Sequence, residues 1–452
     1  MIKLFPHQQT ALDETKSLTN VAYYLDMGLG KTFVGSEKAK QLGEQINLIV
    51  CQKSLIETWV NHLTEHYPDF KIMDMTVKGN LQILNEGLDI NHNYFLVVNY
   101  DLLFRRNIFL SLIDFTLILD ESSLIQNDMA KRTKFVLKMK PKNVILLSGT
   151  PTSGKYENLW TQLHLLGWKV SKNLYEKQYV NWKKIESGGF IRKVPDPANP
   201  YQNVDRLKSK MRQHGAIFMK TEEVFDLPSQ NFIVVPVEST NHYRTFKRDK
   251  YVLLKGYGDV YEEKPDDPDS DFYGTVWGMS DMELIGDTTL THRLYLRMLA
   301  AQYNENKLNA FEDLVNSTMD RLVVFYNFNE ELDQMKRIAE KYERPISIIN
   351  GQEKNLQKYE LFSNSITFIQ YQAGAMGLNL QKANKIIYFS LTEKSELFEQ
   401  SKKRIHRIGQ DKPCFYYILQ TKNSIEGDIY ENLKMRKDFT DELFKEKYET
   451  NK

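Results

Sequence analysis

The stretch Tyr24-Leu25-Asp26-Met27-Gly28-Leu29-Gly30-Lys31-Thr32 has the composition of a loop that holds nucleotide phosphates. Gly28 and Gly30 let backbone N–H groups turn towards an anion. Lys31 can reach the β- and γ-phosphates, and the hydroxyl of Thr32 can hold Mg²⁺. Leu25 stands where the eight-residue phosphate-loop pattern has its first glycine, so a plain glycine turn between a strand and a helix is the alternative. We expect a helix to begin directly after this loop.

The bulk composition bounds the kind of protein this can be. A chain of 452 residues is long enough for two or three domains, and 41% apolar residues can fill their cores. The charged fraction of 26% and net charge of +1 neither demand nor exclude a polyanionic partner, so any nucleic-acid surface must be local. The two cysteines, Cys51 and Cys414, form no metal-type pair and no disulfide framework. With no apolar targeting or membrane-length run, we expect a cytoplasmic protein with no membrane partner.

Short apolar runs alternate with amphipathic stretches in two series, which is typical of parallel α/β sheets. The first series consists of Ile46–Cys51, Tyr94–Asn99, Phe115–Leu119 and Val144–Leu147. The second consists of Arg321–Tyr326, Ile346–Ile349, Ile366–Ile369, Lys385–Phe389 and Phe415–Leu419. The pattern therefore predicts an α/β fold class with two sheet-containing domains.

The region between the two series has a different composition, and we expect it to be an insertion or linker and not part of a sheet. Trp160–Trp168 and Leu174–Trp182 are aromatic-rich helix candidates, and Pro195–Pro200 is a cluster of helix and strand breakers. Tyr257–Tyr273 is loop-like, and its acidic run Glu262–Asp271 is expected to be solvated.

Two adjacent carboxylates follow one of the predicted strands. Phe115–Leu119 leads into Asp120 and Glu121, which places both at the carboxyl edge of a parallel sheet, where ligands bind. Asp120 suits the Mg²⁺ shell, and Glu121 suits the orientation and deprotonation of a water molecule that attacks a phosphate. The next strand delivers the small-residue turn Ser148–Thr152 to the same edge, where it can sense the nucleotide. Without the upstream loop, an acidic pair after a strand is often only a helix cap.

A cluster of cations lies in the second series, over Gln400–Gln410. We expect it to occupy one or two helical turns, with Arg404 and Arg407 on one face at i, i+3 spacing. Two guanidinium groups directed at one point suit a γ-phosphate that arrives from another domain. A solvated basic helix is the alternative. His406 alone would be called structural.

These segments together resemble a known family. Leu4–Gln8, Asp26–Thr32, Asp120–Ser123, Ser148–Thr152, Ala373–Leu380 and Arg404–Gln410 follow the order and rough spacing of the helicase superfamily-two motifs. The run R-I-H-R-I-G-Q is close to the signature of Swi/Snf-like ATPases, and the chain looks like a minimal bacterial or phage member of that family. The resemblance covers most of the chain except the acidic loop and the tail.

The resemblance implies two RecA-like lobes that bind ATP between them, helical insertions on both lobes, and ATP-driven translocation on duplex DNA. It divides the chain into a first lobe over 1–165, a helical insertion completing it over 166–230, a linker and second insertion with the acidic loop over 231–305, and a second lobe with the C-terminal helix over 306–452. ATP and Mg²⁺ are the implied cofactors.

The implied site residues follow by position. The resemblance implies that Gln8 reads adenine, and that Gly28, Gly30 and Gly377 line the nucleotide. It implies that Lys31 holds phosphate, that Thr32 and Asp120 hold Mg²⁺, and that Glu121 serves the water. Arg407 is implied as the arginine finger, with Arg404 beside it.

Five further positions fall in segments that touch the DNA backbone in similar proteins: Lys53, Ser54, Tyr100, Gly351 and Gln372. Such contacts read phosphates rather than sequence. Three departures put the coupling of hydrolysis to movement in question: Ser123 replaces the usual histidine, Gln370–Gln372 replaces small polar and arginine residues, and Leu25 precedes Asp26 where a second acid is common.

Two rival functions stay open. A strand-separating helicase would need a pin, and Gly188–Tyr201 is the segment where a hairpin could provide one. A nucleotide-dependent binding protein without motor activity would not need the full set of catalytic residues, which is present here. No reader module is recognisable, so we expect a monomer that a protein partner targets to double-stranded DNA in a bacterial or phage-infected cell.

Overall fold

The structure of the chain, a computed structural model, describes residues 3–187, 190–258, 260–263, 276–374 and 378–444. The chain divides into two compact units. The first comprises Met1–Leu227, Arg407–Gly409 and Lys434–Lys452, and the second comprises Pro228–His406 and Gln410–Leu433. The four-part division proposed from the sequence stays a prediction.

The first unit alternates strands and helices. In chain order its elements are α1 Pro6–Glu14, β1 Asn20–Leu25, α2 Lys31–Leu42, β2 Ile46–Cys51, α3 Ile56–His66, β3 Phe70–Asp74, α4 Lys78–Glu86, β4 Asn93–Asn99, α5 Tyr100–Leu103, β5 Phe115–Asp120, α6 Lys131–Lys138, β6 Asn143–Leu147, α7 Trp160–Leu165, α8 Lys172–Tyr179, β7 Trp182–Ser187, β8 Phe190–Pro195, α9 Val204–Gln213 and β9 Ala216–Met219.

Seven of these strands form one parallel sheet in the order β3-β4-β2-β5-β6-β1-β9. Alternate side chains of β1 enter different cores: Val21, Tyr23 and Leu25 pack on one face, and Ala22 and Tyr24 on the other. Burial of both faces requires strands that are apolar at nearly every position. This explains why the sequence signal for these strands is a continuous run rather than an alternation.

The second unit repeats this arrangement. Its elements are β10 Gln230–Val237, α10 Asn241–Asp249, β11 Tyr251–Leu254, β12 Val260–Glu263, β13 Val276–Met279, β14 Met282–Ile285, α11 Thr289–Ala300, α12 Glu305–Asn316, β15 Leu322–Tyr326, α13 Asn329–Lys341, β16 Ile346–Ile349, β17 Lys354–Asn355, α14 Gln357–Leu361, β18 Ile366–Gln370, α15 Tyr371–Gly374, β19 Lys385–Tyr388, α16 Ser395–Lys402, β20 Cys414–Thr421 and α17 Ile425–Phe444, the last of which ends in the first unit.

The second sheet has the order β10-β20-β19-β15-β18-β16-β17, and its pairs are parallel except for the short antiparallel edge β16–β17. It too has a core on each face, with Val323 and Phe325 of β15 on one side and Leu322, Val324 and Tyr326 on the other. The predicted α/β class with two parallel sheets is confirmed.

All nine strands predicted from apolar runs are present, but the expectation for the middle of the chain is partly wrong. β9 and β10, both from that region, are edge strands of the first and second sheets. β9 has only four residues, and the apolar run of β10 contains Pro236, so neither pattern indicates a central strand. Of the acidic run, Glu262 and Glu263 belong to β12, while Lys264–Asp271 lies outside the described residues.

Two hairpins stand apart from the main sheets in the described chain. β11 pairs with β14, and β12 pairs with β13, both antiparallel, in the second unit. A third antiparallel pair, β7–β8, lies in the first unit. This hairpin overlaps Gly188–Tyr201, the segment in which the sequence suggested a possible pin, but it begins earlier, at Trp182. None of the helices that the structure describes has the length and apolar character needed to cross a membrane.

Candidate active site

The glycine loop lies at the carboxyl end of β1. β1 ends at Leu25 and α2 begins at Lys31, so the predicted strand-loop-helix arrangement is present. Gly28 and Gly30 both have positive φ, 88° and 75°. A Cβ on Gly30 would also lie 2.1 Å from Nε2 of Gln8. The positive φ therefore favours glycine at position 30, and a side chain there would also displace the end of Gln8.

Lys31 folds across this loop. Its Nζ donates hydrogen bonds to the carbonyl oxygens of Leu25, at 2.9 Å, and Asp26, at 3.3 Å. A Cβ on Gly149, in the turn after β6, would lie 3.4 Å from the same Nζ. The ammonium group is thus placed among carbonyls at the sheet edge, and a phosphate bound by the loop would compete for it.

Asp26 anchors the loop to a distant part of the chain. Its Oδ2 accepts a hydrogen bond from Oγ1 of Thr221 at 2.9 Å, and its Oδ1 accepts one from the N–H of Met27 at 2.9 Å. Thr221 follows β9, which pairs with β1 in parallel. The short strand β9 therefore helps to position the loop, a role that the sequence did not indicate.

Gln8 is buried beside the loop, 4% exposed. Its Oε1 accepts a hydrogen bond from the N–H of Phe5 at 2.9 Å, and its Nε2 donates to the carbonyl of Leu29 at 3.1 Å. Phe5, His7 and Phe225 contact one another at ring-centroid distances of 5.5 to 6.3 Å and line a cleft of about 480 Å³. Gln8 ties the start of α1 to the loop, and its contact with adenine stays a prediction.

Asp120 ends β5 at the same sheet edge. Asp120 and Tyr23 both pair with Leu147 of β6, so β1, β5 and β6 end side by side. Trp59 of α3, which is 2% exposed, donates its indole N–H to Oδ2 of Asp120 at 2.8 Å. Burial raises the pKa of Asp120 to about 6, while the Trp59 hydrogen bond acts in the opposite direction. The carboxylate is oriented but poorly solvated, which favours a cation beside it.

Glu121 is held in an unusual backbone conformation, with φ of 54°. Its Oε1 accepts hydrogen bonds from the hydroxyl of Ser148 at 2.6 Å and from that of Ser123 at 2.9 Å. Ser148 begins the small-residue turn after β6. The structure thus links this turn directly to the predicted catalytic carboxylate, and Ser123, the residue that departs from the family pattern, is the second donor.

Thr32 and Asp120 are the residues that would hold Mg²⁺. A hydroxyl and a carboxylate are hard oxygen ligands of the kind Mg²⁺ prefers, and Mg²⁺ in nucleotide sites takes few protein ligands because phosphates and water supply the rest. Within the described residues, no group of three or more His, Cys, Asp or Glu could hold a metal ion alone. The donor set fits a metal that is bound together with a nucleotide.

The predicted helix over Gln400–Gln410 is wrong beyond Lys402, where α16 ends. The carbonyl of Arg404 accepts a hydrogen bond from Leu380 at 3.0 Å. The Nε2 of Gln410 donates to the carbonyls of Gln381, Ala383 and Ile405 at 2.8 to 3.1 Å. These long-range hydrogen bonds hold the segment in turns, so Arg404 and Arg407 do not share a helical face.

The two arginines differ in environment. Arg404 is 2% exposed and belongs to the second unit, whereas Arg407 is half-buried and groups with the first. Burial lowers the pKa of Arg407. Gly377 lies outside the described residues.

The residues proposed to contact DNA differ in their exposure to solvent. Lys53 and Ser54 are exposed in the turn after β2, at the carboxyl edge of the first sheet. Gly351 and Gln372 are exposed in the second unit. Tyr100 is only 3% exposed, and its hydroxyl donates to the carbonyl of Asp120 at 2.9 Å. Its side chain contacts the end of β5 from inside the protein, and its assignment as a DNA contact stays a prediction.

Two supporting residues were missed because their partners are distant in sequence. Trp59 lies 61 positions before Asp120, and Thr221 lies 195 positions after Asp26. Only the apolar face of α3, with Ile56, Trp59 and Leu63 buried, could have suggested that Trp59 points into the protein.

Two family models match this chain. The family model for the SNF2-related domain matches residues 19–255, and the model for the helicase conserved C-terminal domain matches residues 306–409. The first match spans the glycine loop and the Asp120–Glu121 pair, and the second ends at Gly409, just after Arg404 and Arg407.

The chain is also similar to whole proteins. It is 24% identical to an uncharacterized ATP-dependent helicase, MG018, of Mycoplasma genitalium, over 89% of this chain and 38% of that protein. It is 23% identical to an uncharacterized ATP-dependent helicase of Mycoplasma pneumoniae, over 89% of this chain and 38% of that protein. The chain thus spans well under half the length of these relatives. A Sulfolobus solfataricus SWI2/SNF2 ATPase core in complex with dsDNA aligns over 97% of this chain and 92% of its own, at 17% identity and a TM-score of 0.44.

Proposed function

Because the chain belongs to the SNF2-related family, we propose that it is an ATPase that translocates along duplex DNA without separating the strands. One observation carries this proposal: Lys31, Asp120 and Glu121 meet at one edge of the first sheet, on strands that end side by side. A lysine for phosphate, a carboxylate for a metal and a second carboxylate for water are the groups that phosphoryl transfer to water needs.

Each residue has a proposed part in hydrolysis. Gly28, Gly30 and Lys31 bind the phosphates, and Thr32 and Asp120 hold the metal. Mg²⁺, when bound, neutralises charge that develops on the phosphate oxygens. Trp59 orients the carboxylate of Asp120. Glu121, held by Ser123 and Ser148, orients the attacking water and accepts its proton.

The segment Arg404–Gln410 contributes to hydrolysis in this proposal through its arginines. Arg407 is the arginine finger on the γ-phosphate, and Arg404 acts beside it. Rigid guanidinium groups stabilise the charge of the transition state once they are brought to it. DNA that binds both lobes would favour the ATP-bound, closed state, so hydrolysis would depend on DNA.

Duplex DNA is the proposed partner. Lys53, Ser54, Gly351 and Gln372 are exposed and can contact its phosphates. Contacts of this kind carry no base readout, so affinity should depend on salt and hardly on sequence. Specific targeting would then need a protein partner, and we propose that the chain otherwise works as a monomer in a bacterial or phage-infected cell.

Steady-state phosphate release with and without blunt duplex DNA tests the proposal. We expect low basal activity that depends on Mg²⁺ and rises when duplex is added. Equal rates with and without DNA, at salt concentrations where binding is demonstrated, would contradict it.

A strand-separating helicase is the second candidate, and the β7–β8 hairpin is the observation that favours it, since a projecting hairpin can act as a pin. ATP-dependent unwinding of forked duplexes would support this candidate.

A further inference from the structure

The β7–β8 hairpin is a two-stranded ribbon, Trp182–Pro195, that lies outside the main sheet of the first unit. Its pairing places Lys184 opposite Lys193 on one face, and Ile185 opposite Arg192 on the other. Lys183 lies on the same face as Arg192, opposite Val194. Both faces of the ribbon therefore carry two cations each.

The base of the ribbon is firmly attached to the core. Val180 and Tyr201, 3% and 9% exposed, form an antiparallel bridge just below it. The N–H of Asn181 donates to the carbonyl of Pro200 at 2.9 Å, and the N–H of Asp196 donates to the carbonyl of Asn181 at 2.8 Å. An isolated two-stranded hairpin is only marginally stable in water, so this attachment holds the ribbon in place.

The ribbon is exposed on both faces. Trp182, Ile185 and Ile191 are 37%, 39% and 71% exposed. Lys183, Lys184, Arg192 and Lys193 are also exposed. Among the residues that the structure describes, none of these four cations lies in a salt bridge, although many other lysines of the chain do, including Lys172 and Lys208 nearby.

Positive charge is concentrated in this part of the chain. Residues 172–213, from α8 through the ribbon to α9, contain ten lysines and arginines against four acidic residues, whereas the complete chain has a net charge of only +1. The rest of the protein is therefore net negative. A local excess of this size favours a polyanion as the occupant of the ribbon.

We propose that the ribbon Trp182–Pro195 binds the phosphate backbone of duplex DNA through Lys183, Lys184, Arg192 and Lys193. The inference rests on the proposed function, in which duplex DNA is the ligand. The major groove of B-DNA, about 12 Å wide, admits a two-stranded ribbon between its two phosphate backbones. Cations on both faces suit that position, since each face meets one backbone. The exposed apolar side chains then lose contact with water as well.

The position of the cations favours duplex binding over strand splitting. A pin that splits strands works through its tip, against the last base pair. Here the Glu186–Ile191 and Ser187–Phe190 pairs lie between the four cations and the far end of the ribbon, so the positive charge lies along its body. Contacts along the body serve tracking on a backbone.

Two double variants test the inference: Lys184→Gln with Lys193→Gln for one face, and Lys183→Gln with Arg192→Gln for the other. Lys16→Gln with Lys71→Gln, two exposed lysines of the same unit, is the matched control. Binding of the full chain to a blunt duplex is measured by fluorescence anisotropy across a salt series, and thermal melting checks that each variant is folded.

A plot of the logarithm of the binding constant against the logarithm of the salt concentration has a negative slope. We expect each ribbon variant to make this slope less steep by about two, roughly one for each cation removed. Because the curves converge near 1 M salt, affinity near 0.1 M should fall by about tenfold per cation. Ribbon variants that match the control in slope and affinity would overturn the inference. Weaker binding in only one of the two double variants would also overturn it.

The other outcomes are also decisive. Weaker binding of forked DNA with unchanged binding of blunt duplex would replace the inference by a strand-splitting pin. Binding to an acidic protein, with no change on DNA, would overturn it as well. If the unaltered chain fails to bind duplex DNA at all, the proposed function fails first, and that result is distinct from every ribbon outcome.

Discussion

Glu121 stands out among the residues of the site because its carboxylate is fixed by two hydroxyls and its backbone is strained. A non-glycine residue with φ of 54° costs about 1–2 kcal/mol, and such strain persists where the surroundings over-determine it. The position of the carboxylate is therefore defined by Ser123 and Ser148 rather than left to rotamer freedom.

Glu121→Gln should retain ATP binding and lose turnover. The amide keeps an oxygen acceptor for both serines but cannot accept a proton from water, and loss of a general base costs about 10²–10⁴ in rate. Equilibrium binding of a fluorescent ATP analogue and single-turnover phosphate release measure the two effects. Glu65→Gln, on the exposed side of α3, is the control. Normal turnover in Glu121→Gln would remove Glu121 from the mechanism.

Glu331, at the start of α13, makes stability depend on pH. It is completely buried, and burial raises its pKa to about 7, although the N–H groups of Asn327 and Phe328 and the hydroxyl of Ser390 donate to it. The raised pKa means that between about pH 4.5 and 7 the folded state binds this proton more strongly than the unfolded state does. The contribution of Glu331 to stability therefore falls as pH rises through that window and is level above it.

Glu331→Gln should abolish that part of the pH dependence. The amide oxygen can still accept the same hydrogen bonds, and no charge has to be buried. The rise of the pKa of Glu331 from 4.5 to about 7 corresponds to roughly 3 kcal/mol, so the variant should gain stability relative to wild type at pH 8 and gain little at pH 4.5. Melting temperatures of both proteins across this range measure the difference. A constant difference between them at all pH values would contradict the assignment.

At the scale of elements, a buried ion pair joins α12 to α17. Lys307 is 0% exposed, Glu426 is 3% exposed, and Nζ of Lys307 contacts Oε1 of Glu426, whose Oε2 also accepts a hydrogen bond from the N–H of Thr421. Removing one member of such a pair leaves an uncompensated buried charge, which costs about 3–5 kcal/mol.

The double-mutant cycle on this pair, which compares Lys307→Met, Glu426→Gln and the double variant, gives a specific expectation. Lys307→Met alone should lower the melting temperature strongly, and Lys307→Met with Glu426→Gln should recover part of the loss, because the buried charge is gone. Lys341→Met, which removes an exposed lysine from its pair with the half-buried Glu312, is the control and should cost under about 1 kcal/mol. Additive losses in the double variant would show that the pair is not coupled.

The elements also show how far the sequence predicts the structure. Strands buried on both faces, such as β2, can be predicted from continuous apolar runs because every side chain enters a core. The turns after Lys402 could not be predicted, because they depend on hydrogen bonds from Gln410 to carbonyls as far away as Gln381, 29 positions earlier. The same holds for Trp59 and Thr221, whose partners are brought close only by the sheet. Local chemistry predicts the candidate catalytic residues, and tertiary contacts show what positions their side chains.

At the scale of the whole molecule, Arg407 tests whether the two sheets work together. Arg407→Ala should leave nucleotide affinity near normal and lower DNA-stimulated hydrolysis on the order of a thousandfold, since an arginine finger acts on the transition state. Arg337→Ala, an exposed arginine of α13, is the control and should keep the stimulated rate. Hydrolysis by Arg407→Ala at the wild-type stimulated rate would mean that Arg407 is not the arginine finger.

The central claim is that ATP drives movement along duplex DNA without separation of its strands. Displacement of the third strand from a DNA triplex measures this movement directly, and a forked duplex with short arms measures strand separation in the same buffer. We predict release of the third strand that requires ATP and is absent in Glu121→Gln, while the forked duplex stays paired. Efficient unwinding of the fork with no release from the triplex would contradict the account.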